Sequence, residues 1–289
     1  MKIIEILKNG KLNVSCELFP PKMGSELIKA KTVVKEMAKL SPSYMSVTYG
    51  AGGTNCENTV EIADEIQNVN GITALAHLTC VASERPKIKE VLTELKNKNI
   101  QNILALRGDL PADPSVKLST SYQHACDLMQ EIKKNGDFCI GGACYPESHP
   151  ESPSYEKDIE YLKIKAESGC EFLTTQMFFD NNILYNFMFR LLKKGIDLPI
   201  VAGIMPVTNA KQINRICSLS GTALPPRFRA IADKFAHNPA AMKQAGIAYA
   251  TEQMIDLFAN GVNNVHIYTM NQPDIAGQIM QNLSEIIHQ

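Results

Sequence analysis

The amino-acid pattern predicts an α/β protein, with one eight-stranded parallel β/α barrel spanning residues 1–289. Three observations carry that expectation. Apolar runs with strand character alternate with runs of helical period, each unit taking about thirty residues. Six of the apolar runs end in polar tips, as barrel strands do when their C-terminal ends surround one site. The chain has 289 residues, 45% of them apolar and 20% charged, which is enough for one large core.

The elements follow in order. Met1–Lys8 breaks its apolar run at Glu5 and reads as a short amphipathic helix. The first strand, from Asn13, carries Glu17 just before Phe19-Pro20-Pro21. Glu26–Leu40 then places Leu27, Val33, Val34, Met37 and Leu40 near a 3.6-residue period. The second strand, Tyr44–Gly50, ends in Thr48 and Tyr49, and Asn55–Val69 follows as a helix with Val60, Ile62, Ile66 and Val69. Ala74–Thr79 is a strand carrying His77, and Arg85–Lys98 a helix with Ile88, Val91, Leu92 and Leu95 on one face. Asn102–Leu106 ends abruptly in Arg107-Gly108-Asp109, before Pro111 stops regular pairing. The helix Thr120–Lys133 follows, then a strand from Gly141 leading to Tyr145 and His149, and the helix Tyr155–Glu167. Phe172–Gln176 precedes the helix Asn181–Lys194, and Leu198–Ile204 precedes Ala210–Leu219. An extra helix, Pro239–Ala259, opens on Asn238 as N-cap with proline at its first position. Val262–Tyr268 and Ile275–His288 complete the eighth unit. The competing architecture, an open doubly wound sheet, usually carries a Gly-x-Gly-x-x-Gly turn when it binds a dinucleotide, and none is present. Gly50-Ala51-Gly52-Gly53 is the one glycine cluster that would let backbone approach a ligand closely.

Composition excludes several classes. A net charge of −1 without a long basic run argues against a nucleic-acid surface. No apolar stretch reaches the roughly 20 residues that cross a bilayer, and the N-terminus does not read as a signal peptide, so a cytoplasmic protein is expected. The eight cysteines, at 16, 56, 80, 126, 139, 144, 170 and 217, lack the close spacing of zinc or iron–sulfur sites. They are expected to be reduced and structural. The histidines at 77, 124, 149, 237, 266 and 288 share no close spacing either, and no metal is expected.

The strand tips supply the candidate chemistry. Glu17, among apolar neighbours, is set to hold a proton near neutral pH, while the plainer alternative pairs it with Lys22 or Arg107. Asp109 beside Arg107 reads either as an ion pair or as a group aimed at a ligand, with Gly108 suggesting close backbone approach. His77 reads first as a satisfied core histidine and second as a ligand contact. Tyr145 and His149 flank a rigid proline loop, where function is the leading reading. Gln176 suits the edge of a heteroaromatic ring, or else a backbone bond to the next strand. Lys165 lies on an outer helix, where a solvated lysine is the default. Two rim carboxylates with neutral polar and aromatic groups suit redox chemistry on a flavin and, equally, hydrolysis.

The same residues resemble the methylenetetrahydrofolate reductase family of flavin enzymes, in the form of its bacterial catalytic barrel. The resemblance runs in order through Cys16-Glu17-Leu18-Phe19-Pro20-Pro21, Ser46-Val47-Thr48-Tyr49-Gly50, His77-Leu78-Thr79-Cys80, Ala105-Leu106-Arg107-Gly108-Asp109-Leu110-Pro111, Tyr145-Pro146-Glu147-Ser148-His149-Pro150, Thr175-Gln176-Met177-Phe178-Phe179-Asp180, Gly203-Ile204-Met205-Pro206-Val207 and Tyr268-Thr269-Met270-Asn271. It implies FAD across the barrel mouth, reduced by NADH or NADPH, and methylenetetrahydrofolate entering the same space afterwards. It implies that Glu17 protonates the folate so that its five-membered ring opens to an iminium. Asp109 would lie by both flavin and pterin, disfavouring an anionic reduced flavin and favouring the cationic acceptor. Thr48, Tyr49, Ala51, His77, Arg107, Gly108, Tyr122, Ala143, Tyr145, His149, Ser152, Asp158 and Lys165 match positions that hold the flavin. Gln176 would bond the pterin edge, and Gln212 and Gln272 would contact the folate tail. There are departures: Leu18 and Ile216 stand where bacterial relatives commonly have aromatics, and Gln272 where they often have Arg, which removes a charge-assisted contact. The resemblance further implies a homo-oligomer without the regulatory domain of eukaryotic relatives, and therefore no feedback by S-adenosylmethionine. Some relatives work beside an iron–sulfur partner that supplies their electrons, and such a partner is the alternative electron source.

Overall fold

The computed structural model describes residues 1–21, 26–49, 56–111 and 113–287, without the side chains of residues 56, 57, 212, 214, 215 and 219. Eight strands close on themselves in sequence order: β1 Asn13–Leu18, β2 Met45–Val47, β3 Ala74–Thr79, β4 Asn102–Leu106, β5 Cys139–Cys144, β6 Phe172–Thr175, β7 Ile200–Ile204 and β8 Asn264–Tyr268. Every pair is parallel, including the closing pair, β1 with β8. The expected eight-stranded barrel is therefore the observed fold. All six residues of β1 are buried, because a barrel strand faces the core with one side and the helices with the other. Val14, Cys16 and Leu18 pack outward with the helices, which leaves Ser15 and Glu17 facing the interior.

The helices around the barrel are α2 Leu27–Ala38, α3 Cys56–Asp64, α4 Arg85–Asn97, α5 Ala125–Asn135, α6 Tyr155–Glu167, α7 Asn181–Lys193, α8 Ala210–Ser220, α9 Pro226–Phe235, α10 Pro239–Ala259, α11 Pro273–Asn282 and α12 Ser284–Ile287, after an N-terminal α1 Ile3–Leu7. The floor is plugged by α1. Ile3, Ile6 and Leu7 pack on Tyr44, Leu75, Leu104, Phe172 and Val201, each large side chain contributing about 1.5–3 kcal/mol by leaving water. Three interior asparagines bind the plug's backbone: Asn102 Oδ1 accepts from Ile3 N at 2.8 Å, Asn13 Nδ2 donates to Ile6 O at 3.1 Å, and Asn264 Nδ2 donates to Leu7 O at 3.3 Å. Those bonds satisfy helix-end groups that have no partner within so short a helix.

Several boundaries differ from the sequence expectation. The helix expected from Thr120 begins at Ala125, because Asp127 Oδ2 accepts from both Gln123 N and His124 N at 2.9 Å and caps it there. The terminal helix is two, with Leu283 between them, and the second strand keeps only three residues. The last turns of the helix over 56–69 widen to an i→i+5 pattern over Glu65–Val69. α9 has no counterpart in the expectation. Its signal was present in Pro225-Pro226 ahead of Phe228, Ile231, Ala232 and Phe235 at helical spacing. α10 starts where expected, with Asn238 Oδ1 accepting from Ala241 N at 3.1 Å.

Candidate active site

Strand register brings the proton donor into the mouth. Glu17 is level with Ser46 on β2 and Tyr268 on β8. The loop after β8 fixes this strand end: Thr269 Oγ1 donates to Glu17 O at 2.6 Å, while Asn271 accepts from Phe19 N at 2.8 Å and donates to Phe19 O at 3.0 Å. Met270 and Asn271 adopt positive φ, 52° and 57°, to make that double contact. Sequence reading gave neither Thr269 nor Asn271 a role. The signal that could have found Asn271 is an asparagine three residues past a strand end, where its side chain readily bonds a neighbouring backbone.

Glu17 is 8% exposed, and burial pushes its carboxyl up to about 8. His77, 7% exposed, is held down at about 3 by the same cause. Its Nε2 lies 3.8 Å from Glu17 Oε2, too far for a hydrogen bond, and has no other partner among the described residues. Both groups are then uncharged near pH 7, so the pair is a carboxylic acid beside a neutral imidazole and not a salt bridge. This departs in one respect from the first reading of His77 as a satisfied core histidine: its Nε2 is unpaired. It also removes the pairing of Glu17 with Arg107, whose fork grips Glu151 at 2.6 and 2.8 Å. Lys22, the other candidate, lies outside the described residues. Tyr268 closes the wall beside Glu17 and donates its hydroxyl to Thr175 O. Only glycine fits at 203 across from it, since a Cβ there would stand 2.6 Å from the Tyr268 hydroxyl oxygen.

The β4 tip is built for close approach. Arg107 O accepts from Cys80 N and Val81 N, Gly108 takes φ +88°, and a Cβ at 108 would meet Thr79 Cβ at 3.0 Å. Asp109 follows, exposed at the rim, with its charge felt at Tyr145. The ion pair of Asp109 with Arg107 gives way to the Arg107–Glu151 fork.

The β5 side gathers most of the remaining predicted residues. Tyr145 and His149 meet edge to face with centroids 4.6 Å apart. Burial raises the Tyr145 phenol and lowers the His149 imidazole. His149 Nδ1 accepts from Glu151 N at 3.1 Å, and Ser152 Oγ donates to Ser154 O. Lys165 is not solvated as its helix position suggested: its ammonium donates to Ala143 O at 2.7 Å. Asp158, 8% exposed, is raised by burial against the opposing pull of the His149 backbone and Lys165. Gln176 Oε1 accepts from Met177 N at 2.9 Å, its own neighbour's amide and not the next strand's.

The other candidates lie further out or outside the description. Thr48 N donates to Leu18 O and Thr48 O accepts from Thr59 Oγ1, both at 3.0 Å, while Tyr49 is buried. Tyr122 is buried beside Arg85 and Glu131. Gln272 is exposed at the start of α11. Gln212 belongs to α8, but its side chain lies outside the described residues, as does all of Ala51. Over the β6–β8 side of the mouth, α8 and α9 build a second apolar cluster in which Ile213 and Phe228 join Met177, Met205 and Val207. Among the described residues no group of acidic, histidine and cysteine side chains could hold a metal ion, and no helix is long and apolar enough to cross a membrane.

The residues present fit a phosphate-bearing cofactor with a polar-edged ring. Lys165 supplies a cation and Arg107 a second, now paired with Glu151, while Gly108 opens the backbone and His77 offers an unused buried nitrogen.

The family model described as methylenetetrahydrofolate reductase matches residues 2–284. A maize methylenetetrahydrofolate reductase (NADH) is 36% identical over 99% of this chain, which spans 50% of that longer protein. The 5,10-methylenetetrahydrofolate reductases of Pectobacterium carotovorum and Escherichia coli K12 are 33% and 32% identical, over 95% of this chain and 91% of each of theirs. A Clostridium thermocellum protein that binds two copies of 5-methyl-5,6,7,8-tetrahydrofolic acid superimposes with TM-score 0.64 at 12% identity, covering 100% of this chain and 99% of that one. At that identity the likeness is one of fold. The chain spans about half the length of the plant relatives but nearly all of the bacterial ones. On the family match and the bacterial identities together, it belongs to the methylenetetrahydrofolate reductase family.

Proposed function

We propose that this chain reduces 5,10-methylenetetrahydrofolate to 5-methyltetrahydrofolate, with FAD held across the barrel mouth and NADH or NADPH as reductant, in a ping-pong cycle. The single observation that carries this reading is the buried carboxyl of Glu17, pushed up to about 8 in a chain of this family. FAD, when bound, supplies the route by which a hydride passes from nicotinamide to folate.

The chain's own residues do the rest. Glu17 holds a proton at neutral pH and delivers it to the folate ring nitrogen, which opens the five-membered ring to the iminium that accepts hydride. An ordinary glutamate would have lost that proton below pH 5. His77, kept neutral, does not compete for the proton and leaves Nε2 free for a ligand atom. Asp109 at the rim supplies a carboxylate that favours a cationic acceptor over the neutral folate. Arg107 and Lys165 hold phosphates, Tyr145 holds the flavin, and Gln176 orients the pterin edge.

Reconstitution tests the reading. The protein should take up FAD and turn yellow, a nicotinamide should bleach it anaerobically, and methylenetetrahydrofolate should restore the colour. Protein that binds no flavin, or whose reduced flavin ignores the folate, ends it.

A further inference from the structure

Between the flavin-side loop and the substrate-side helix lies one contact with no role yet assigned. We infer that Glu147 is a positioning residue: it clasps the end of α8 to the loop carrying Tyr145 and His149, and so sets the helix that closes the folate side of the mouth. This rests on the reading given under Proposed function.

Glu147 sits in the middle of the Tyr145–His149 loop, half-buried, with Ser148 beside it at φ +72°. That left-handed residue folds the loop back so that Tyr145 and His149 meet, while Glu147 faces the other way. Glu147 Oε2 accepts from Ala223 N at 2.9 Å, across 76 residues of sequence. The adjoining residues clamp the same corner. Thr222 Oγ1 donates to Met177 O at 3.0 Å and accepts from Ser220 Oγ at 2.9 Å, and Gly221 lies against Pro150. The C-terminal corner of α8 is thus pinned to the β5 loop through Glu147 and Pro150 and to the β6 loop through Thr222.

Nothing else in the corner needs a carboxyl. Among the described residues Glu147 Oε1 is buried without a hydrogen-bond partner, so the carboxyl's one contact is the Ala223 amide. Burial raises the group, with the Ala223 amide opposing and nearby Asp180 adding to the rise. The other end of α8 carries a local cap, Asn209 Oδ1 accepting from Lys211 N. Between the two ends, Ile213, Ile216 and Cys217 lie in the apolar cluster with Met177, Met205 and Tyr268. Apolar contacts are less directional than hydrogen bonds, so the bonds at this end contribute most to the register of the helix. Glu147 therefore decides where α8 sits over the β6–β8 side, on which the folate tail would lie.

Glu147→Ala, Glu147→Gln and, at the independent clamp, Thr222→Val should be compared in the purified full chain reconstituted with FAD. Glutamine keeps an acceptor for Ala223 N; alanine does not. The expected result for the alanine variant is faster amide hydrogen exchange across residues 210–223 and a KM for methylenetetrahydrofolate raised about five- to tenfold, the size of one lost hydrogen bond. Its maximal folate rate, FAD affinity and melting temperature should stay near the parent's. The glutamine variant should behave as the parent, and Thr222→Val should share the alanine phenotype. Unchanged exchange over α8 in Glu147→Ala, or loosened exchange with an unchanged KM, overturns the inference, and so does failure of glutamine to rescue. If the parent protein itself shows no folate turnover, the functional reading fails instead, and the exchange measurement still decides whether the clasp exists.

Discussion

Two histidines inside the same barrel, one layer apart, have opposite surroundings. His266 lies in the middle, 2% exposed, with Ser15 Oγ at 2.7 Å from Nδ1 and Ser46 Oγ at 3.0 Å from Nε2. Ser15 Oγ also donates to Val265 O, so Nδ1 carries the proton toward Ser15 and Nε2 accepts from Ser46. His77, nearer the mouth, is almost as buried but has nothing on Nε2. Burial drives both rings down to about 3, so neither is charged near neutral pH. What separates them is partnership. A buried polar group that is fully paired holds the fold, whereas one left unpaired beside a proton-holding carboxyl awaits something that the chain itself does not provide. Elsewhere in the barrel, too, interior polar groups that hold the fold are paired: the asparagines at the floor bind α1.

Substitutions break this contrast in order of size. Glu17→Gln removes the donor and should slow folate-dependent reoxidation of the reduced flavin on the order of a thousandfold, with flavin reduction by nicotinamide nearly intact. Equal losses in both half-reactions would contradict the acid role.

The same variant should show a pH signature in stability. The folded carboxyl keeps its proton up to about 8, while the unfolded chain releases it near 4.5. The native state therefore binds more protons between those values, and the group's contribution to stability falls as pH rises through that window and then levels off. Relative to Glu17→Gln, the parent should lose on the order of 4 kcal/mol between pH 4.5 and 8. A stability difference that stays flat in denaturant titrations across this range would count against a buried, neutral Glu17.

Replacing His266 by alanine takes a partner from both Ser15 and Ser46 and opens a cavity, and should cost about 3 kcal/mol. His77→Gln should cost under about 1 kcal/mol, since Nε2 loses no bond, while weakening FAD uptake. If His77 proved the more destabilising of the two, the distinction drawn from their partners would be wrong.

Much of this was legible in the sequence. Strand tips are where the pattern is clearest, because these apolar runs end in polar residues, so Glu17, His77, Asp109, Tyr145 and Gln176 could be placed at strand ends before any coordinates. Pairing was not legible. The partner of Arg107 is Glu151, 44 residues away, and that of Lys165 is the Ala143 carbonyl. Such contacts depend on loop paths that local pattern does not encode. Helix α9 escaped because a proline pair reads as a loop unless the apolar spacing after it is followed. Asn271 escaped because its role lies in bonding another loop's backbone.

The central claim is that Glu17 is a neutral acid at the mouth near pH 7. Difference infrared spectroscopy of the flavin-free protein, assigned by subtracting Glu17→Gln, measures this directly through the protonated carboxyl band. A band that persists at neutral pH and titrates away near pH 8 is the predicted result, and a carboxyl already ionised by pH 5 would contradict the account.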